Sequence, residues 1–106
     1  MDNGFIDRRH EWSTAKQMGN IATEALRALR FRRERGGDAG CGYCRSAIDC
    51  LLSAASDPKN TDRKEEFESA ARILQDFFLE GNSLNTKEED LEQFYNSYID
   101  YYMEHM

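Results

Sequence analysis

Apolar residues recur every three or four positions along most of this chain, and glycine or proline breaks divide the pattern into four segments. This spacing places apolar side chains on one face of an α-helix, whereas a half-buried strand alternates every second residue. The segments span about residues 11–35, 43–55, 62–80 and 87–104. The sequence therefore predicts an all-α fold, in which the 106 residues form one small domain, an antiparallel bundle of about four helices.

Local signals mark the ends of these helices. Glycines at 36–37 and at Gly81 follow the first and third segments, where a left-handed residue commonly ends a helix. The fourth segment opens with a Thr-x-x-Glu pattern at 86–89, which predicts a capping box. Phe5 and Ile6 are expected to pack against the first turn of the first helix.

The net charge of −6 is unevenly distributed. Residues 1–45 carry nine Lys and Arg and six Asp and Glu, whereas residues 46–106 carry five and fourteen. This asymmetry indicates an acidic surface that faces a basic partner, or two halves that attract each other. No apolar run is long enough for a membrane span or a signal peptide, so we expect a cytoplasmic protein that does not bind membranes.

All three cysteines lie in the stretch GGDAGCGYCRSAIDC, residues 36–50. One interpretation is a zinc site on Cys41, Cys44 and Cys50, although such a site needs a fourth ligand and a second Cys-x-x-Cys pair is absent. Another is burial, because free cysteine is among the most buried residue types and Cys44 shares a helix face with Leu51.

Redox chemistry is a third interpretation, since a helix N-terminus lowers the pKa of a thiol. The segment GCGYCRSAID resembles the Cys-x-Tyr-Cys segment of the helical alkylhydroperoxidase D and carboxymuconolactone decarboxylase family. The resemblance implies a helical fold and a reactive pair at Cys41 and Cys44. In that family a histidine follows the second cysteine by one helical turn, and here Ile48 occupies that position.

The C-terminal end of the first helix, residues 27–35, holds five arginines and Phe31. Such a basic, aromatic helix end is a candidate nucleic-acid contact through residues such as Arg30, Arg32 and Arg33. The alternative is a solvated helix end that pairs with carboxylates of the third or fourth helix. Because the domain is acidic overall, nucleic-acid binding is the less favoured interpretation.

The fourth helix combines acidic and aromatic residues. Its first turns carry Glu88, Glu89, Asp90 and Glu92, which indicate either an acidic contact surface or a solvated face. Its second half contains more large side chains than one helix face can hold, and tyrosine is enriched at protein interfaces. The candidate contact residues there are Tyr95, Tyr98, Tyr101 and Tyr102.

No catalytic fingerprint occurs, and the two histidines lie near the chain ends. We therefore expect a non-enzymatic protein-binding module without a cofactor, most simply a small acidic accessory or inhibitory protein of the phage or mobile-element type. The partner is expected to be a host protein such as a nuclease, defence or regulatory factor, with a homodimer as a further possibility. The alternatives are a zinc- or thiol-dependent regulator and a nucleic-acid-binding regulator.

Overall fold

The computed structural model describes residues 7–106 and confirms the predicted all-α fold. Two 3-10 segments, Arg8–Glu11 and Pro58–Arg63, accompany the main helices, and the described residues include no strand. The predicted packing of Phe5 and Ile6 lies outside the described residues. The four α-helices are α1 (Thr14–Arg35), α2 (Cys41–Ser56), α3 (Lys64–Leu79) and α4 (Glu88–His105).

Helix α1 begins later than the sequence predicts because Ser13 caps it. The Ser13 hydroxyl accepts a hydrogen bond from the Lys16 backbone N–H at 3.1 Å, which satisfies one of the free amides of the first turn. At the other end, the Gly36 N–H donates to the Arg32 carbonyl at 2.7 Å. Gly36 has a φ of 71°, a conformation that favours glycine, and the helix ends there as predicted.

Helix α2 begins earlier than predicted because Gly40 serves as its N-cap. Gly40 has a φ of 91°, and the Cys44 N–H donates to its carbonyl at 2.9 Å. A Cβ atom added to Gly40 would lie 2.4 Å from the Ala28 carbonyl oxygen. The glycine is therefore required both by its conformation and by the close approach of α1.

The loop before α4 forms differently from the predicted capping box. Lys87 is the N-cap residue and makes no side-chain capping bond. The Thr86 backbone N–H, which in a capping box donates to the Glu89 side chain, instead donates to Asn82 Oδ1 at 2.8 Å. Asp76 fixes the same loop from α3, because its carboxylate accepts from the backbone N–H groups of Ser83 and Leu84, each at 2.9 Å. These contacts lower the pKa of Asp76, with the Ser83 hydroxyl as the largest cause.

The helices pack in the order α4, α1, α2, α3, so that α1 lies between α4 and α2. Small residues permit close approach in the centre: Ala22, Ala25, Ala28 and Ala47 are fully buried. Leu52 on α2 is 49% exposed. Helices α3 and α4 share core side chains, but their backbones do not pack closely along their length. The bundle is therefore tightly closed on three of its sides and open on the fourth.

Buried polar side chains tie the N-terminal 3-10 segment to the other helices. Gln17 donates through Nε2 to the Arg9 carbonyl at 2.8 Å and to Asp57 Oδ2 at 2.9 Å. Asn60 donates through Nδ2 to Gln17 Oε1 at 2.7 Å and to the Ala54 carbonyl at 2.9 Å. Gln17 and Asn60 are 4% and 1% exposed, so each of these bonds replaces a lost contact with water.

An ion pair extends this network to the surface. Arg9 donates to both carboxylate oxygens of Asp7, at 3.0 and 3.1 Å, and also to Asp49 Oδ2 at 3.0 Å. The Ser53 hydroxyl donates to Asp7 as well. The Arg9 guanidinium, assisted by Ser53, holds the pKa of Asp7 well below its usual range. We refer to this network as the polar seam, formed by Asp7, Arg9, Gln17, Ser53, Asp57 and Asn60.

Candidate functional site

An open groove of about 340 Å³ lies between α3 and α4. Its α3 wall consists of Glu66, Ser69, Ala70 and Ile73, which lie three or four residues apart and therefore share one helix face. The floor and this wall are mainly apolar. We refer to the space that these residues, together with those of α4 described next, enclose as the α3–α4 groove.

The opposite wall is formed by α4 and the residue that precedes its first turn. Leu91 and Tyr95 are buried at the base of the groove, whereas Phe94 is partly exposed along its side. The Phe94 ring lies 4.9 Å from the Tyr95 ring and 4.8 Å from the Tyr98 ring, measured between centroids. The α4 residues that line the groove are Asp90, Leu91, Phe94 and Tyr95, and Thr86 adds to them from the loop.

One end of the groove is closed by contacts between the two helices. The Tyr98 hydroxyl donates to Glu66, and the rings of Phe67 and Tyr98 meet edge to face with centroids 6.2 Å apart. Beyond them, the Arg63 guanidinium lies 5.1 Å from the centroid of the Tyr101 ring. The loop before α4 bounds the other end, so the two helices are held apart at both ends.

The charged side chains that line the groove are both acidic. Glu66 lies on α3 and accepts from Arg63 at 3.1 Å, whereas Asp90 lies on α4 and has no ion pair among residues 7–106. None of the described residues that line the groove is Lys or Arg. The two formal charges among the residues that line the groove are therefore both negative.

Tyr95 has a buried hydroxyl with no hydrogen-bond partner among the described residues. Its side chain is fully buried, and burial, followed by the nearby Cys44 thiol, raises the pKa of Tyr95. A buried hydroxyl without a partner lowers the stability of the fold relative to a phenylalanine at the same position.

The predicted tyrosine surface divides between the core and the surface. Tyr95 and Tyr98 are 0% and 3% exposed and belong to the core, so a partner that docks on the folded chain reaches neither hydroxyl directly. Tyr101 is half-buried and stacks on the His105 ring with centroids 4.0 Å apart. Tyr102 is half-buried against Gly19, where an added Cβ would lie 2.8 Å from its ring.

The predicted acidic residues of α4 have two different environments. Glu88 and Glu92 bind Arg33 at 2.6 and 3.1 Å, which matches the alternative in which the basic helix end pairs with carboxylates of another helix. Glu89 and Asp90 are exposed and form no ion pair among the described residues. Of this acidic set, Asp90 lines the groove.

The arginine-rich end of α1 is largely engaged within the fold. Arg32 donates to the Phe77 carbonyl at 2.9 Å and lies over the Phe77 and Phe78 rings. Phe31 stacks on Tyr43 with centroids 5.3 Å apart. Arg30 is exposed and has no ion pair within the described part of the chain.

The three cysteines lie on α2, with Cys41 and Cys44 one turn apart and Cys50 six residues further along the helix. Cys44 is fully buried and donates to the Leu74 carbonyl at 3.8 Å, and burial raises the pKa of its thiol to about 12. Cys50 is also buried and accepts from Asn20 Nδ2 at 3.2 Å; its pKa is raised by burial, which outweighs the nearby Arg9 guanidinium. Cys41 is partly exposed. Residues 7–106 contain no group of three or more His, Cys, Asp or Glu side chains arranged to hold a metal ion.

Sequence reasoning did not identify Ser69, Ile73 and Phe94 as a site. Ser69 and Ile73 follow the ordinary amphipathic pattern of α3, so nothing in their order shows that their face stays partly uncovered. For Phe94, the available signal is the excess of large side chains in the second half of α4.

Comparison of the chain with protein-family models, curated proteins and solved structures gives no match. The resemblance of residues 40–49 to a redox family is thus confined to that short segment. Within residues 7–106, no helix is long and apolar enough to cross a membrane.

Proposed function

We propose that this protein is a non-catalytic binding module, a small acidic accessory or inhibitory protein, that holds another protein chain in the α3–α4 groove. The observation that carries the proposal is the groove itself. It is an apolar channel between two helices that share core side chains without close backbone packing. Association that removes such surface from water is favourable in proportion to the apolar area covered.

The architecture favours a macromolecular partner, because the groove lies where the bundle lacks close packing between two neighbouring helices, α3 and α4. Ile73 and Phe94 rise from opposite walls and are only partly buried by the chain's own residues. A further apolar element placed between them would complete the packing that the other three sides already have. Grooves of this kind between helices are common docking sites for peptide segments.

The chemistry of the potential nucleophiles and bases also favours binding over catalysis. The Cys44 thiol, with its pKa raised to about 12, is protonated at neutral pH. His10 Nε2 lies 3.0 Å from the Ser53 carbonyl oxygen, and the His105 ring stacks on the Tyr101 ring. Neither histidine forms a hydrogen bond with a cysteine among the described residues.

A selection from a displayed library of helical peptides tests the proposal, with the groove blocked in one of two matched variants. Ser69→Trp fills the groove, whereas Gln93→Trp adds the same ring to an exposed position of α4 that does not line it. We expect peptides that are enriched on the wild-type chain to bind Gln93→Trp equally and to lose at least about tenfold in affinity for Ser69→Trp. Peptides that bind all three chains alike, or the absence of any enrichment, would contradict the proposal.

A further inference from the structure

We propose that the occupant of the α3–α4 groove is an amphipathic helix with basic flanks, contributed by a different protein. This inference rests on the proposed function and specifies the class of partner. Three features of the described residues carry it: the length of the groove, the satisfied backbone of both walls, and the positions of the acidic side chains.

The length of the groove matches two turns of a helix. Its α3 wall runs from Glu66 to Ile73, which is about 10 Å at about 1.5 Å per helical residue. On a partner helix, apolar residues at positions i, i+3 or i+4, and i+7 cover the same distance on one face. Such a helix would lie along the groove and contact Ile73 and Phe94 with the same stripe.

A helix is favoured over an extended peptide because both walls are helices. An extended segment gains much of its affinity by pairing with the free backbone edge of a sheet. The backbone groups of α3 and α4 along the groove are bonded within their own helices, and the described residues offer no sheet edge. A helical partner satisfies its own backbone and needs only side-chain contacts.

Charge complementarity favours basic flanks. Since α3 and α4 are joined by a short loop and run antiparallel, Glu66 near the start of α3 and Asp90 near the start of α4 lie at opposite ends of the groove. Arg63 partly neutralises Glu66, and Lys87 lies one turn from Asp90 along the chain, but neither cation lines the groove. Lys or Arg on both flanks of the partner stripe would therefore face a carboxylate at each end.

The same charges disfavour a second copy of this chain as the occupant. A two-fold interface through the groove would add the Glu66 and Asp90 carboxylates of a second copy to those of the first, with no Lys or Arg in the groove lining to offset them. The basic segment of the chain itself is largely engaged, because Arg32 covers the Phe77 and Phe78 rings and Arg33 binds Glu88 and Glu92. A foreign basic helix meets neither obstacle.

The test uses a pair of designed peptides of about four turns, end-capped and fluorescently labelled. Both carry leucine at i, i+3, i+4 and i+7, and they differ only in having arginine or glutamate at the flanking positions. Anisotropy titrations with the full chain measure the affinity. We expect the arginine peptide to bind at least about tenfold more tightly than the glutamate peptide, and the difference to shrink as salt is added.

Variants of the chain test whether the preference for the arginine peptide arises from the carboxylates of the groove. Asp90→Asn should weaken the arginine peptide about two- to fivefold, and the addition of Glu66→Gln should weaken it further. The matched controls Asp100→Asn and Glu68→Gln, which remove exposed acids of α4 and α3 outside the groove, should change little.

The outcomes separate the two proposals. Equal binding of both peptides in the groove, blocked by Ser69→Trp, would overturn the basic partner and leave the binding function intact. Binding of the arginine peptide that Ser69→Trp does not affect would overturn both. A concentration-dependent dimer that Ser69→Trp dissociates would replace the foreign helix with a second copy of the chain.

Discussion

The polar seam and the α3–α4 groove are two ways in which this small bundle closes the space between helices. At the seam, buried amides and carboxylates bond to one another, and the crevice beside Arg9, Gln17 and Cys50 has no room for a water molecule. At the groove, apolar side chains line an open space of about 340 Å³. Because unmet polar groups are costly when buried, the seam is specific and intolerant of change. The groove lacks such bonds along its length. It should therefore tolerate substitutions and leave its apolar surface open to a partner.

The largest expected effect follows from breaking the seam at its most buried amide. Asn60→Ala removes the donor to Gln17 Oε1 and one donor to the Ala54 carbonyl, which retains the bond from the Asp57 N–H. We expect the free energy of unfolding to fall by about 2–4 kcal/mol, measured by urea denaturation. The control Asn96→Ala, at an exposed position of α4, should change it by less than about 0.5 kcal/mol. Equal effects of the two variants would mean that the seam is not a stabilising network.

Overpacking distinguishes the closed and open faces next. Ala47 is fully buried between helices, and Ala47→Trp should cost about 2–3 kcal/mol. Ser69→Trp places the same ring in the groove and should alter stability by no more than about 1 kcal/mol. Thermal unfolding followed by circular dichroism measures both. If Ser69→Trp were as destabilising as Ala47→Trp, the groove would not be open space in solution.

Acid should weaken the seam. The pKa of Asp7 is lowered chiefly by its hydrogen bond with Arg9. The pKa of Asp57 is also lowered, because hydrogen bonds from Lys59 and Gln17 outweigh burial, which raises it. A carboxyl whose folded pKa lies below its unfolded value of about 3.9 stabilises the fold above that value and loses this contribution as pH falls toward the folded pKa.

The urea concentration at the midpoint of unfolding should therefore be constant near neutral pH and should decrease when the pH is lower than about 4. Asp7→Asn should be less stable than the wild type at neutral pH and should show a shallower decline in acid. A wild-type decline that Asp7→Asn leaves unchanged would assign the acid sensitivity to other carboxyls.

The smallest expected effect concerns the base of the groove. Tyr95→Phe removes a buried hydroxyl that has no partner among the described residues, so stability should be unchanged or rise by up to about 1 kcal/mol. Tyr98→Phe, in contrast, removes the bond to Glu66 and should cost about 1 kcal/mol. A clear loss of stability in Tyr95→Phe would show that its hydroxyl is bonded in solution.

The same contrast shows what the sequence could predict. Apolar spacing predicted four helices because each needs a continuous stripe to reach the core, and glycines marked the ends of α1 and α3 correctly. The cap of α4 was predicted wrongly because Asn82 binds the Thr86 N–H, a contact that depends on the fold of the loop. Periodicity identifies a face but not what covers it.

The groove and the seam escaped prediction for that reason. Gln17 and Asn60 look like ordinary surface residues in the sequence, and their burial depends on partners more than 40 positions away in the chain. Tyr95 and Tyr98 were grouped with Tyr101 and Tyr102 as one surface, yet only the first pair is enclosed, since Phe67 of α3 reaches Tyr98. The separation of α3 and α4 depends on such long-range contacts.

A titration of isotopically labelled protein with the arginine-flanked peptide, followed by amide chemical shifts, locates the bound peptide residue by residue. Binding in the α3–α4 groove predicts that the largest shifts fall on residues around Ser69, Ile73, Asp90 and Phe94, with α2 and the polar seam little affected. Shifts concentrated instead at the arginine-rich end of α1, or no shifts at peptide concentrations well above those of the protein, would contradict the account.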